Sequence, residues 1–242
     1  MNSIPKAIVV GSGAGGAAAA RELQGSFDVT VVEAGGTFRP LAVSVPVLEA
    51  ARGARIMFDE RQISWSFPAM RVHKSREGMV LVHGRAVGGT TPLATANALR
   101  LDAPLRRLGL DLDAEFAELA GEIPIDADHR RSWRPATERL FRTCAQMGLA
   151  PQAMPKMIDR KRCRRCGRCV LGCPTGAKWD SRRLVERAVE QGATLLSGWS
   201  VQRVLLRGGR AVGVEARRGP RRLRLEADLV VLAAGGVGTP RI

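Results

Sequence analysis

The sequence predicts an α/β protein in which a parallel sheet begins near the N-terminus, is interrupted by a helical, cysteine-rich segment, and then resumes. Three observations predict this class. A β-α-β pattern opens the chain, a glycine-rich turn follows its first strand, and a second buried-strand pattern, DLVVLAAGG, closes the sequence. With 242 residues, 45% of them hydrophobic, the chain is long enough for one large domain or two small ones.

The β-α-β motif that opens the chain is predicted from short apolar runs and the glycines between them. Lys6 to Val10 is a β-branched apolar run, which indicates a buried parallel strand. AGGAAAARELQG predicts a helix closed by Gly25, and DVTVVEAGG predicts the second strand. The unit has the size expected of a β-α-β motif.

The turn after the first strand has the G-x-G-x-x-G spacing of a Rossmann-like dinucleotide site. Such glycines allow a tight turn, close approach of a pyrophosphate and close helix–strand packing, with the pyrophosphate on the helix N-terminus. Glu33 ends the second strand, about 20 residues on, where a carboxylate binds ribose hydroxyls and favours FAD or NAD over NADP. The predicted turn residues are Gly11, Gly13, Ala14, Gly15 and Gly16.

The next part of the chain is expected to be less regular. Residues 36–80, with prolines at 40, 46 and 68, predict loops and short strands. GMVLVHGR, at 78–85, predicts a strand that leads into a second glycine-rich turn, GRAVGGTT.

The helical character appears after residue 100. DLDAEFAELAGE and RPATERLFRTCAQMG have helical periodicity, and DSRRLVERAVEQG predicts a helix that begins at Asp180 or Ser181. Four β-like segments follow: ATLLSG, VQRVLL, RAVGVEA and RLRLEA. We therefore predict a discontinuous nucleotide-binding domain at residues 1–100 and 175–242, and a helical insertion at 101–174 with a cysteine-rich loop.

The cysteine loop has the C-x2-C-x2-C-x3-C-P spacing of bacterial ferredoxins. Its cysteines are candidate metal ligands, with Cys144 a substitute for the last of them: Cys163, Cys166, Cys169 and Cys173. Three interpretations stay open, namely a [4Fe–4S] cluster, a zinc ion, or thiols without a metal. Six neighbouring basic residues between positions 160 and 168 would offset the charge of a thiolate site and lower the thiol pKa values.

Three blocks resemble the glucose–methanol–choline (GMC) family of FAD-dependent oxidoreductases. They are VVGSGAGG with Glu33, GRAVGGTT at 84–91, and LVVLAAGGVGTPRI at the end. The resemblance implies the FAD-binding fold of this family, which is of the glutathione-reductase type. It implies that the second block lies along the flavin, and that the segment around Val201 sets its backbone against the adenine. The further cofactor residues that it implies are Arg85, Gly88, Gly89, Thr90, Thr91, Ala234 and Gly235.

The segment CGRCVLGCPTGAKWDSRRLVERAVEQG resembles the long-chain alcohol oxidase branch of this family. The family's catalytic histidine follows the T-P-x-[IL] signature, in which this sequence stops, and none of His73, His83 and His129 matches it. No catalytic residue is therefore expected in this chain, and a fragment, a split gene or a subunit that needs a second chain is expected.

The function implied is FAD-dependent oxidation of an alcohol-type CH–OH donor by hydride transfer to the flavin, with electrons passed to a [4Fe–4S] cluster. Two alternatives remain. One is a ferredoxin-linked FAD reductase subunit, and the other is a non-enzymatic subunit for electron transfer or polyanion binding. The expected partners are an alcohol-type substrate, an electron acceptor or ferredoxin-like protein, and a second chain that supplies the C-terminal half.

The formal net charge of +15 bears on partners and location. Basic runs at 160–168 and 217–224 favour an anionic partner, whereas 4% aromatic residues offer few stacking platforms for nucleic acid, which disfavours it. No apolar run approaches the ~20 residues of a membrane span. With no room for a signal peptide before the first strand, a cytoplasmic location is expected.

Overall fold

The computed structural model describes residues 4–43, 45–54 and 60–242. The strands in this part of the chain are β1 (Lys6–Val10), β2 (Asp28–Glu33), β3 (Met70–Lys74), β4 (Val80–Gly84), β5 (Ile125–Asp126), β6 (Lys156–Met157), β7 (Thr194–Ser197), β8 (Ser200–Arg207), β9 (Arg210–Arg218), β10 (Arg221–Glu226) and β11 (Leu229–Leu232). The α-helices are α1 (Ala14–Glu22), α2 (Val45–Gly53), α3 (Glu60–Ser66), α4 (Ala103–Arg106), α5 (Asp113–Glu122), α6 (Pro135–Gln146), α7 (Arg182–Glu190) and α8 (Gly235–Gly238).

The chain divides into two compact units. The first contains the described residues up to 94 together with 167–173 and 180–242, and the second contains 95–166 and 174–179. Both ends of the sequence therefore contribute to the first unit.

A parallel sheet with the strand order β11-β1-β2-β7 forms the centre of the first unit. One face packs with the small residues Ala20 of α1 and Ala188 of α7, both fully buried. The strands are apolar on both faces because both faces are covered. Since the strands are parallel, the carboxyl ends of β1, β2 and β11 meet at one edge, where ligands bind in folds of this kind.

The second sheet of this unit is antiparallel, with the order β10-β9-β8. Val201, Val214 and Ala216 belong to the same core cluster as Ile8 and Val10 of the parallel sheet. Alternate residues of these strands point the other way, and the arginines among them are exposed. The four predicted β-like segments thus become β7 to β10.

The prediction of loops and short strands for residues 36–80 is wrong in part, because α2 and α3 lie there. Prolines suggested irregular structure, but Pro46 is the second residue of α2 and Pro68 lies after the end of α3. A proline in the first turn of a helix removes no intrahelical hydrogen bond, so it does not prevent the helix. Residues 44 and 55–59 of the predicted region lie outside the described residues.

The second unit contains the predicted helices α5 and α6, which are confirmed, and the short strands β5 and β6. Glu138 of α6 accepts hydrogen bonds from Arg130 and Arg142, which lower its pKa to about 2. No helix in the described part of the chain is both long enough and apolar enough to cross a membrane.

Candidate functional site

The glycine turn between β1 and α1 depends on two glycines for its shape. Gly11 has φ of +98° and donates its amide to the Val32 carbonyl oxygen at 2.9 Å. A Cβ on Gly16 would lie 2.0 Å from the Gly11 carbonyl oxygen, and one on Gly11 would lie 2.6 Å from the Ala233 carbonyl oxygen. These two positions therefore tolerate no side chain, because β1, α1 and the end of β11 meet there.

The other glycines leave room at the N-terminus of α1. Gly13 is the N-cap, no side chain caps the helix, and its first turn has no acidic residue. A Cβ on Gly15 would meet nothing within 4 Å, and one on Gly13 would meet only the Gly89 Cα, at 3.9 Å. The positive end of the helix dipole thus faces a cradle of backbone that glycine keeps open, which fits the pyrophosphate of a dinucleotide.

Glu33 lies at the end of β2 with 6% of its surface exposed. Its Oε2 accepts hydrogen bonds from the Ser12 amide at 3.0 Å and the Ser12 hydroxyl at 2.7 Å, and its Oε1 accepts one from the Gly35 amide at 2.7 Å. These bonds fix the carboxylate at the mouth of the turn. Because each carboxylate oxygen accepts two hydrogen bonds, Oε1 keeps capacity for a ribose hydroxyl.

The second glycine-rich turn, at 84–91, packs against the first. The Gly88 amide donates to the Ser12 hydroxyl oxygen at 3.0 Å, and a Cβ on Gly89 would lie 2.7 Å from the Gly13 Cα. The Val87 amide donates to the Gly36 carbonyl oxygen at 2.9 Å, next to the end of β2. The structure therefore brings the two predicted glycine turns together at the carboxyl edge of the parallel sheet.

The two threonines of this turn have their hydroxyls engaged within the protein. Thr90 Oγ1 accepts a hydrogen bond from the Gly84 amide at 3.0 Å, and Thr91 Oγ1 donates one to the Gly88 carbonyl oxygen at 2.8 Å. They hold the turn closed, and its backbone, the hydroxyl hydrogen of the exposed Thr90 and the exposed Arg85 side chain are what it offers to an anionic ligand.

Ser181 is a structural residue of the site that the sequence indicated only as a helix start. It is fully buried, and its Oγ lies 3.1 Å from the Gly88 carbonyl oxygen and 3.3 Å from the Ser12 carbonyl oxygen. Its amide donates to Thr91 Oγ1 at 2.9 Å. Ser181 thus ties α7 to both glycine turns, across sequence separations that no local pattern reveals.

The third family-like block, at the end of the sequence, also lies at the carboxyl edge of the parallel sheet. The Ala233 amide donates to the Val10 carbonyl oxygen at 2.9 Å, Ala234 precedes α8, and Gly235 has φ of +75°.

Val201, the predicted adenine neighbour, has its side chain in the core at 7% exposure. It lies on β8, an edge strand of its sheet, so one side of its backbone has no strand partner within that sheet.

The predicted cysteine ligands are divided between the two units. Cys163 and Cys166 belong to the second unit, and Cys169 and Cys173 belong to the first. Among the described residues, no group of three or more His, Cys, Asp or Glu side chains is arranged to hold a metal ion. Cys166 is exposed, while the others and Cys144 are half-buried, and none of these cysteines forms a disulfide in the described part of the chain.

Three of the basic residues beside the cysteines have other partners. Arg160 pairs with Asp126 at 2.7 Å, Arg162 donates to the Thr175 carbonyl oxygen, and Arg168 donates to the Leu41 carbonyl oxygen. Their guanidinium groups hold loops in place through charge-assisted hydrogen bonds.

The doubly covered sheet, the glycine turns and the placed carboxylate define a dinucleotide-binding domain of α/β class. A family model described as GMC oxidoreductase matches residues 109–242, more than half of the chain. An uncharacterized GMC-type oxidoreductase, Rv0492c, of Mycobacterium tuberculosis (strain ATCC 25618 / H37Rv) is 34% identical over 259 residues, which covers 97% of this chain and 38% of the relative. The chain belongs to the GMC oxidoreductase family, whose members bind FAD.

Two further comparisons agree with this assignment. The long-chain-alcohol oxidase FAO1 of Arabidopsis thaliana is 27% identical, over 97% of this chain and 33% of the relative. The solved structure of pyridoxine 4-oxidase from Mesorbium loti has a TM-score of 0.65 at 18% identity, with 98% of this chain and 50% of that chain covered, and it shows the shared fold. The chain spans less than half the length of the curated relatives named here.

Proposed function

We propose that this chain is the FAD-binding portion of an oxidoreductase that oxidises an alcohol-type CH–OH donor. The single observation that carries the proposal is the convergence of the turns after β1 and β4 on the N-terminus of α1, beside Glu33. Family membership and the likeness to a long-chain-alcohol oxidase support the donor class.

The residues of the chain would hold the two ends of the cofactor's ADP portion. The amides at the start of α1, between Gly13 and Gly16, would bind the pyrophosphate, and Glu33 Oε1 would accept a ribose hydroxyl. The backbone around Val201 would lie against the adenine. When bound, FAD supplies the acceptor for a hydride from the donor carbon.

The turn at 84–91 would position the cofactor rather than transfer protons. The Thr91 hydroxyl donates to the Gly88 carbonyl oxygen and the Thr90 oxygen accepts the Gly84 amide, which fixes the shape of the turn. Of the histidines, His73 and His83 bond to each other, and His129 bonds to the Met154 carbonyl oxygen and Trp133. We therefore assign none of these three histidines as the catalytic base.

The test is an anaerobic titration of the flavin-loaded chain, combined with the C-terminal portion expected to supply the catalytic base, with straight-chain primary alcohols of increasing length. The proposal predicts loss of the visible flavin absorption with at least one of these alcohols and release of the matching aldehyde. Flavin that stays oxidised with every alcohol but is reduced by a reduced ferredoxin would favour the alternative, a ferredoxin-linked reductase subunit.

Electron passage to a [4Fe–4S] cluster stays a prediction that rests on the spacing of the four cysteines. Its test is iron and sulfide analysis of protein purified without oxygen. About four irons per chain, lost on Cys163→Ala, would support the cluster. Zinc instead of iron would support the second interpretation, and the absence of any metal would leave the cysteines as thiols.

A further inference from the structure

Four exposed arginines form the tip of the β9–β10 hairpin, which we call the arginine hairpin: Arg217, Arg218, Arg221 and Arg222. They make two cross-strand pairs, with Arg222 directly opposite Arg217 and Arg221 directly opposite Arg218. Like charges placed directly opposite each other destabilise a sheet. An anion bound between the strands would relieve this repulsion, so the hairpin is a surface that gains stability from an anionic partner.

The same sheet already shows how it binds a carboxylate. Glu215 of β9 lies directly opposite Arg203 of β8 and Arg224 of β10. Its Oε2 accepts hydrogen bonds from Arg203 Nη2 and Arg224 Nε, each at 3.1 Å. The bonds from Arg203 and then Arg224 lower the pKa of Glu215, so this carboxylate stays ionised between its two guanidinium groups.

The neighbouring row of the sheet has a different set of side chains, with Ser200, Arg217 and Arg222 where the first row has Arg203, Glu215 and Arg224. Arg217 is two residues along β9 from Glu215, and Arg222 is two residues along β10 from Arg224, so all four side chains share one face. Arg217 Nε donates to the Gly219 carbonyl oxygen at 2.6 Å, which holds its guanidinium at the hairpin. The facing positions of β9 and β10 in this row thus carry two cations, whereas the facing positions in the first row carry an anion and a cation.

We propose that the arginine hairpin docks an acidic segment of a partner protein, whose carboxylates bind Arg217 and Arg222 through the same kind of guanidinium–carboxylate hydrogen bond that Glu215 accepts from Arg203 and Arg224. The planar guanidinium group matches a carboxylate through two parallel hydrogen bonds, which gives such a contact direction as well as charge. This proposal is independent of the flavin site.

Two features of the face favour protein carboxylates over the phosphates of a nucleic acid. Residues 200–226 contain no aromatic side chain, so no base can stack there. Glu215 and Glu226 lie on the same face as Arg222, and a continuous phosphate backbone would have to pass these carboxylates. A short acidic segment meets only the positive end of the face.

The test measures binding of a fluorescent oligoglutamate peptide to the full chain at low salt, where surface electrostatics is least screened. The test variant is Arg217→Gln with Arg222→Gln. A matched control is Arg207→Gln with Arg210→Gln, which removes the same charge from another exposed, directly opposed pair, at the β8–β9 turn. The proposal predicts about tenfold weaker binding for the test variant and less than about twofold weaker binding for the control.

A misfolded variant is recognised by its thermal midpoint. The test variant removes two repelling charges but also the Arg217–Gly219 hydrogen bond, so its midpoint should stay close to that of the unmodified chain. Three results would overturn the proposal: no binding of the peptide by the unmodified chain, equal weakening in both double variants, or tighter binding of an oligothymidylate of equal charge. The last result would identify a nucleic-acid surface.

Discussion

The hydroxyl of Ser12 donates a 2.7 Å hydrogen bond to the Glu33 carboxylate, although the two residues are 21 positions apart and both are buried. The same hydroxyl oxygen accepts the Gly88 amide at 3.0 Å. One serine between the first two glycines of the turn therefore orients the acid that we propose binds the ribose, and attaches the second glycine turn to the first. The geometry of the FAD site depends on this buried contact.

Replacement of Ser12 by Ala should lower both stability and FAD affinity. The change leaves the Gly88 amide and one Glu33 oxygen without this partner, and a buried polar group left unsatisfied costs about 1–3 kcal/mol. Urea unfolding monitored by circular dichroism checks the free energy of unfolding. Ser66→Ala, at an exposed position, is the control and should change it by less than about 0.5 kcal/mol. Equal stability of the two variants would contradict the role given to Ser12.

Two glycine-to-alanine changes in the first turn should separate folding from cofactor binding. Gly16→Ala places a Cβ 2.0 Å from the Gly11 carbonyl oxygen, so overpacking should cost about 1–3 kcal/mol of stability. Gly13→Ala meets only the Gly89 Cα, at 3.9 Å, and should cost less than about 1 kcal/mol. Its Cβ would occupy the approach of the pyrophosphate, so FAD binding should weaken at least about tenfold.

Both variants are measured in the same two assays, urea unfolding of the chain without flavin and a titration with FAD. The account fails if Gly13→Ala binds FAD as tightly as the unmodified chain, because the pyrophosphate would then lie elsewhere. It also fails if Gly16→Ala is fully stable, because the close contact with Gly11 would not exist.

The histidine pair on the β3–β4 hairpin predicts a pH dependence. His83 Nε2 lies 3.0 Å from His73 Nε2, and His83 Nδ1 lies 3.3 Å from the Gly84 carbonyl oxygen. Burial lowers the pKa of His83, the bond to Gly84 partly opposes this, and the charges of His73, Arg71 and Arg85 lower it further. The folded state thus favours neutral His83. The stability that His83 contributes is therefore complete above the ordinary histidine pKa of about 6.5, and it is lost as the pH falls through the lowered pKa of the folded state.

The measurement is an NMR titration of the imidazole protons in folded chain and in urea-unfolded chain. The His83 midpoint should be lower in the folded chain, and His73→Asn should raise it, since one positive charge nearby is removed. Identical midpoints in the folded and unfolded chains would show that the hairpin does not bias the protonation of His83.

Local patterns were sufficient to predict where the first glycine turn and Glu33 lie in the fold. Gly11, Gly13, Gly16 and Glu33 follow from the periodicity of one strand, one helix and a second strand, because a β-α-β unit fixes where its turn and its second strand end. The antiparallel strands β8 to β10 were likewise visible from alternation.

Contacts between distant segments were not predictable. Ser181 was read only as a helix start because its bonds to Gly88 and Ser12 arise from tertiary packing across 93 and 169 residues. The helices α2 and α3 were missed because proline was weighed as a breaker regardless of its position in the helix. The cysteine spacing shows which side chains could bind a metal, but spacing alone does not determine whether the loop brings them together.

The most direct test of the central claim is a titration of the purified, flavin-stripped chain with FAD, followed by flavin fluorescence and gel filtration. The account predicts that one FAD per chain binds and co-elutes with it, and that Gly13→Ala weakens this binding while the chain stays folded. A folded chain that binds no FAD, or that binds it equally with and without the Gly13→Ala change, would contradict the assignment of the glycine turns as the cofactor site.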